Sequence, residues 1–491
     1  MRINIVFGGE AGQGSNILSH ILGKTLIEKG YFVFYSRDYQ SIIRGGHNFN
    51  ILTFSNESVT SNDSKIDILV CLDKKTEEIH KRDLNENGIV LNGKKSNMYF
   101  SGAISKILNL DFQILEKQLK KLNKFKENLE EAKKGYEQEK RKLDILNVDK
   151  NNFYFMSGNQ GISQGAIKSG LDIYYSYPIT PATFISNELV KDENVLVLEL
   201  ESELAVINAV VGSSITGAKA MTGTSAGGFD LMTETLSLTG IAEIPLVVYF
   251  GQRPGPGTGI PTYTAQGDLN CAIYSGHGEF PKLVIAPGDV IEAQELTSHA
   301  FYFSQKYKIP SIILGDKHLG ESFYTLSSEP KITPSEKTTS LKKYSGNEIT
   351  EKGETTSNAE IVKSNFERRL KTIDVIKKDA ENFEMFKVYG NKNSKNIIIG
   401  WGSTKGAILD CIKNLDVKFI QVLYLEPFPE KIKQELEKAE KIILIENNST
   451  GQLGELIAKK TGIFIEDKIL KYDGRSFFAD ELEIEIRGKL E

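Results

Sequence analysis

Between Ser157 and Ser322 the chain repeats one arrangement: a strand-length apolar run, a turn rich in glycine, serine, threonine or proline, then a stretch with helical spacing. The apolar runs fall at 171–176, 194–200, 218–224, 244–252, 282–286 and 310–314. This alternation leaves few folds open, because a strand that returns parallel to its predecessor needs a helical crossover. It predicts a parallel, doubly wound sheet.

The flanks follow the same grammar. Residues 2–7 read as a buried strand, Gly8 to Ser15 as a glycine-rich turn, and Asn16 to Lys29 as an amphipathic helix. Further strands are expected at Tyr31–Tyr35 and Ile66–Cys71, and solvated helices between about 103 and 145. Residues from about 325 to 385 are polar and begin with Pro330 and Pro334, which marks a linker or helical excursion. A third α/β unit starts at Ile397–Gly400 and continues through Phe419–Tyr424 and Ile442–Glu446. A chain of 491 residues is too long for one core. The expected division is 1–152, 153–324, a linker at 325–385, and 386–491.

Composition excludes several classes of function. Sixty basic against 65 acidic residues give a net charge of −5, which is no nucleic-acid footprint. No apolar run approaches the ~20 residues that span a bilayer, and the first residues lack the apolar core of a signal peptide. A cytoplasmic protein with no membrane partner is expected. Cys71, Cys271 and Cys411 are the only three cysteines and lie far apart, so the chain cannot build a local four-thiolate iron–sulfur site.

In open parallel sheets ligands sit beyond the carboxyl ends of the strands. There the middle region delivers Tyr177-Pro178-Ile179-Thr180-Pro181, then Glu201-Ser202-Glu203, then Thr224-Ser225-Ala226-Gly227-Gly228, then Arg253 followed by Pro254 to Thr262. Each segment alone is an ordinary βα turn. Together they put hydroxyls, a carboxylate and a guanidinium along one edge, and this predicts a binding crevice.

These residues carry a family resemblance. Tyr177–Pro181 (YPITP), the carboxylate at Glu203, the segment Arg253–Thr262 and the run Gly276–Lys282 (GHGEFPK) resemble the 2-oxoacid:ferredoxin oxidoreductases. Gly8–Ser15 with Ile43–Asn48 is similar to the family's γ domain. Trp401-Gly402-Ser403 and Asp473-Gly474-Arg475 are similar to its transketolase-like C-terminal domain. Two departures loosen turns: Ser225-Ala226-Gly227-Gly228 stands for the usual SGPG, and GPGTG for GPSTG. The resemblance implies a fused γ–α subunit with three doubly wound α/β domains: γ, thiamine pyrimidine-binding and transketolase C-terminal-like.

The implied activity is coenzyme A-dependent oxidative decarboxylation of a 2-oxoacid, with electrons passed to ferredoxin. 2-Oxoglutarate is favoured over pyruvate or a broad range. The implied cofactor is thiamine diphosphate, whose pyrimidine N1′ shares a proton with a carboxylate. By resemblance that carboxylate is Glu203, with Glu199 and Glu201 as nearby competitors, and Tyr177, Pro178, Thr224 and Ser225 line the cofactor. Arg253 and Thr180 would hold the substrate carboxylate, and Thr262 would line the side-chain pocket. His277 and Glu279 are better read as structural residues of their loop.

Thiamine enzymes hold the diphosphate through Mg²⁺ bound by a GDG…NN segment. Gly267-Asp268-Leu269 and Gly315-Asp316-Lys317 lack its second glycine, and Asn447-Asn448 is far from both. The family arrangement then implies a separate β subunit that carries the diphosphate and Mg²⁺ site and a [4Fe–4S] cluster, so the cofactor bridges two chains. Two alternatives stand beside this reading. One is a nicotinamide-dependent dehydrogenase, since Gly8–Gly14 followed by Asp38 imitates a dinucleotide fingerprint, although the order G-G-x-x-G-x-G is wrong and Asp38 is expected beyond its strand. The other is a non-catalytic assembly subunit.

Overall fold

The computed structural model describes residues 1–40, 46–149, 151, 153–338 and 344–491, so Ile43, Arg44 and Gly45 lie outside the described residues. Its strands form three sheets of seven, seven and five.

The middle sheet matches the expected pattern closely. Its strands are Ile173–Ser176, Leu196–Glu199, Ala220–Thr224, Leu246–Gln252, Leu283–Ile285 and Pro310–Asp316. They pair in parallel. Leu246–Gln252 and Pro310–Asp316 are buried along their whole length, as strands covered by helices on both faces must be. From one side, the order is Pro310–Asp316, Leu246–Gln252, Ala220–Thr224, Ile173–Ser176 and Leu196–Glu199. The far edge beyond Leu283–Ile285 is completed antiparallel by Tyr424–Glu426 from the C-terminal region.

The first sheet departs from the simple alternation. Arg2–Gly9 pairs in parallel with Ile66–Cys71 but antiparallel with Asn48–Ser55, a strand that the sequence reading did not separate from its surroundings. Phe32–Asp38 adds antiparallel to Asn48–Ser55. Phe323–Leu326 then pairs antiparallel with both Phe32–Asp38 and Tyr154–Ser157, so segments on either side of the middle sheet's strands close the N-terminal sheet.

The third sheet contains Asn396–Trp401, Lys418–Val422, Lys441–Glu446 and Asp467–Leu470 in parallel, with Phe386–Gly390 antiparallel at its edge. The polar stretch before it holds the helix Ala359–Ala380, capped by the Asn358 side chain at its N-terminus. A buried ionic knot joins the middle and C-terminal units. Lys405, 5% exposed, bonds Asp289 and reaches Glu292 at 2.6 Å. Glu292 also accepts from Lys387 at 3.1 Å and Gln421 at 2.6 Å.

Among the described residues no helix is long and apolar enough to cross a membrane.

Candidate active site

The strand ends of the middle sheet bring the predicted residues toward one place. Leu196–Glu199 runs into Ser202, whose hydroxyl caps the following helix by accepting from the Ala205 amide at 3.2 Å. The cap sets Glu203 in the first turn of helix Glu203–Ile215. A carboxylate is favoured there by the helix dipole. Of the three competing carboxylates, Glu199 and Glu201 are exposed, while Glu203 is buried. Burial separates them where sequence alone could not.

What Glu203 packs against explains a glycine. A Cβ on Gly228 would lie 2.7 Å from Glu203 Oε1 and 2.8 Å from its Cγ, and closer still to Thr224 Oγ1. Only a residue without a side chain lets the helix Ala226–Ala242 approach the carboxylate so closely. Glu203, in the helix that follows the outermost strand, and Thr224, at the end of Ala220–Thr224, therefore both border Gly228. Ser225 caps that helix position without a side-chain bond, and its buried hydroxyl has no partner. An orphaned buried hydroxyl at a strand end suits a site that expects polar atoms from a ligand.

Arg253 reaches in from the opposite side. Its Nη1 donates to the Thr180 carbonyl at 3.0 Å, spanning the end of Ala220–Thr224. Thr180-Pro181 is a cis peptide, and the Pro181 carbonyl accepts from Asn159 at 3.2 Å. Arg253 is half-buried, and burial lowers its pKa while Asp268 opposes that shift. Among the described residues it makes no ion pair, so its guanidinium is oriented by a neutral carbonyl and keeps its charge for an anion. Tyr177 and Pro178 stay exposed, and Thr262 is half-buried in the loop beyond Arg253.

Sequence reading missed the residues that support this cluster. Gln252, fully buried, accepts from the Asp268 amide at 3.0 Å and donates to the Gly315 carbonyl at 3.1 Å. Asp268 is thereby fixed near Arg253, with Oδ2 buried and unpartnered. Burial and nearby Asp230 raise its pKa to about 6, against the pull of Arg253. The available signal was Gly267-Asp268, which resembled only a broken metal motif.

The loop after Arg253 meets the C-terminal unit. The Thr264 amide donates to Gly474 O at 3.1 Å. Arg475 stacks on Tyr263 at 4.1 Å and pairs with Asp38 at 2.9 Å. Asp38 ends its strand, contrary to the expectation that it lies beyond it. The three units surround a cavity of about 480 Å³ lined by residues that include Arg37, Asp38, His80, Tyr263, Lys317 and Arg475.

Three of the four N-terminal glycines are packed, and Gly12, at positive φ, faces open space. Gly14, in the left-handed region, has Asn97 where a Cβ would stand, Gly8 has Thr76, and Gly9 has Leu72 at 2.9 Å. With Asp38 committed to Arg475, the features that imitated a dinucleotide fingerprint have structural uses. His277 and Glu279 are exposed, and the His277 amide donates to Ser237 at 2.7 Å.

Comparison with known proteins agrees with this arrangement. The family model for the thiamine diphosphate-binding domain of pyruvate flavodoxin/ferredoxin oxidoreductase matches residues 164–383, and that for pyruvate ferredoxin/flavodoxin oxidoreductase matches 4–96. A 2-oxoglutarate synthase subunit KorA of Methanocaldococcus jannaschii is 30% identical, over 68% of this chain and 99% of that protein. The chain belongs to the 2-oxoacid:ferredoxin oxidoreductase alpha-subunit family. A 2-oxoacid:ferredoxin oxidoreductase subunit alpha of a Sulfolobus species is 29% identical, over 98% of this chain and 96% of that protein. The fold is that of the 2-oxoglutarate:ferredoxin oxidoreductase of Magnetococcus marinus, solved with 2-oxoglutarate, coenzyme A and succinyl-CoA bound. The match has a TM-score of 0.89 and 24% identity, and covers 100% of both chains. Family membership accounts for the thiamine-binding middle domain.

Proposed function

We propose that the chain is the γ–α subunit of a 2-oxoacid:ferredoxin oxidoreductase, decarboxylating a 2-oxoacid, with 2-oxoglutarate favoured, in the presence of coenzyme A. The observation that carries this reading is a buried carboxylate, Glu203, beside the end of Ala220–Thr224 and a guanidinium, Arg253, without an ion pair among the described residues and bonded to Thr180 beyond the neighbouring strand. The residues present fit thiamine diphosphate: a buried acid, a glycine cradle at Gly228 and the free hydroxyl of Ser225. When bound, that cofactor supplies a nucleophilic carbon and an electron sink for the bond to CO₂.

Glu203 holds the proton at pyrimidine N1′. Arg253 and Thr180 orient the substrate carboxylate, Arg253 by charge-assisted hydrogen bonds and Thr180 through its hydroxyl. Tyr177, Pro178, Thr224 and Ser225 line the pyrimidine side, and Thr262 faces the substrate side chain. The domain division at 152, 324 and 385 follows the same reading. A partner β subunit carries the diphosphate and Mg²⁺ site and a [4Fe–4S] cluster, and ferredoxin takes the electrons. In support, the three cysteines are scattered and this chain has no GDG…NN segment.

The test is Glu203→Gln in the complex purified with its partner, read by viologen reduction with 2-oxoglutarate, pyruvate and 2-oxoisovalerate. A loss of 10²-fold or more is expected, the scale of general acid–base catalysis. Unimpaired turnover would support the assembly-subunit reading instead.

A further inference from the structure

Away from the strand-end crevice, the loop Gly276–Lys282 folds back after the helix Leu269–Tyr274. Lys282, its last residue, donates to the Ser275 carbonyl and lies 3.4 Å from the Ser275 hydroxyl. The Phe280 ring lies 4.5 Å from its Nζ. These groups border a cavity of about 220 Å³ with walls that include Ile273, Phe280, Pro281, Ile376 and Pro427. Ile376 comes from the helix Ala359–Ala380, so the polar excursion between the last two units supplies one apolar wall.

The charge balance of the pocket is unusual for a lysine. Glu426 is the carboxylate on the cavity wall, and Lys460 holds it at 2.8 Å. Among the described residues Lys282 makes no ion pair. Its polar partners are the Ser275 oxygens, which accept a hydrogen bond from an amine as well as from an ammonium. Apolar walls penalise the charged form and nothing in the pocket repays it fully. Burial accordingly lowers the lysine to about 8, with Glu426 opposing.

We propose that Lys282 is an amine nucleophile that takes acyl groups from thioesters, a covalent modification site separate from the crevice at the strand ends. The neutral amine adds to the thioester carbonyl. An amide N–C bond forms, the C–S bond breaks, and the coenzyme A thiolate leaves and takes up, through solvent, the proton that the amine loses. The cavity is walled mostly by apolar side chains and is large enough for a short acyl chain. Acylation removes the positive charge that ties Lys282 to the loop end at Ser275.

At pH 7.5 an amine titrating near 8 is about one-quarter neutral, against roughly 0.1% for an ordinary lysine near 10.4. Lower basicity offsets part of this ~200-fold difference, and an acylation rate on the order of tenfold above the median lysine is expected.

The test uses the native full-length chain with its co-purified partner, incubated with acetyl-coenzyme A or succinyl-coenzyme A between pH 6.5 and 9.5. Site-resolved mass spectrometry reads the rate at every lysine. The expected result is fastest modification at Lys282, with a pH profile that inflects near 8. A rate at or below the median lysine, or a profile still rising in proportion to hydroxide at pH 9.5, overturns the proposal. Because the thioester is added directly, the outcome does not depend on the proposed catalytic function.

Discussion

Gly228→Ala is the most direct probe of the Glu203 site, because one methyl group reports on the packing of the carboxylate. The added Cβ would lie 2.7 Å from Glu203 Oε1 and 2.8 Å from Cγ. Ordinary van der Waals contact begins about 0.7 Å further out, and Thr224 Oγ1 would be closer still, so the carboxylate and Thr224 together, or the helix, must shift by about 1 Å. Overpacking of this kind costs roughly 1–3 kcal/mol, offset by the ~1 kcal/mol that alanine gains over glycine within a helix. The net loss of stability is therefore small, about 0–2 kcal/mol. The functional loss is expected to be large, since misplacing a catalytic group by about 1 Å costs on the order of 10²-fold. Gly212→Ala is the control. It lies in the same helix as Glu203, and its added Cβ would meet nothing within 4 Å, so it should raise thermal stability by ~1 kcal/mol from propensity alone. The assay is viologen reduction by the reconstituted complex, with thiamine diphosphate affinity and thermal melting measured in parallel. Activity within twofold of the parent for Gly228→Ala, with an unchanged melting temperature, would refute the tight-cradle argument.

Two further perturbations test the supports of the site. Asp268 has a raised folded pKa of about 6, so its contribution to stability is fully present below the unfolded value near 3.9 and is lost as pH rises through 6. Asp268→Asn should therefore melt higher than the parent above pH 6, by up to ~2–3 kcal/mol, and show no gain at pH 4; a gain that is constant across this range contradicts the assignment. Lys405→Met leaves buried Glu292 and partly buried Asp289 without their shared cation. A loss of ~3–5 kcal/mol is expected, seen as a lower urea midpoint, and an unchanged midpoint would show that the ionic knot does not hold the two units together.

The middle sheet was legible because its strands are buried on both faces and so appear as unbroken apolar runs between turn residues. All six runs became strands, with ends displaced by up to two residues. The N-terminal sheet was harder to read. Asn48–Ser55 alternates between its faces and carries Asn50 and Thr53, which look like surface residues in sequence but are buried by pairing with other side chains. Asn50 bonds Ser19 at 3.1 Å, and Thr53 bonds Asn4 at 2.6 Å. Phe323–Leu326 was hidden for another reason: its partners Phe32–Asp38 and Tyr154–Ser157 are distant in sequence, so no local pattern announces the pairing. The supporting residues of the site follow the same rule. Glu203 and Arg253 could be named from their strand ends, but Gln252, Asp268 and Gly228 matter only through contacts that fold closure creates.

That distinction bears on why the site is divided as it is. Glu203, proposed above to meet the pyrimidine ring, is buried by helix packing that a single glycine permits. A guanidinium meant to bind a substrate carboxylate must keep its charge and stay free of permanent anionic partners. Arg253 is held by a carbonyl, while its nearest counter-charge in electrostatic terms, Asp268, is itself raised toward neutrality by burial and by Asp230. An ionised carboxylate bonded directly to Arg253 would compete with the substrate for the same donors. Asp268 steadies the arginine from nearby without bonding to it, and its raised pKa follows from desolvation beyond the end of one buried strand.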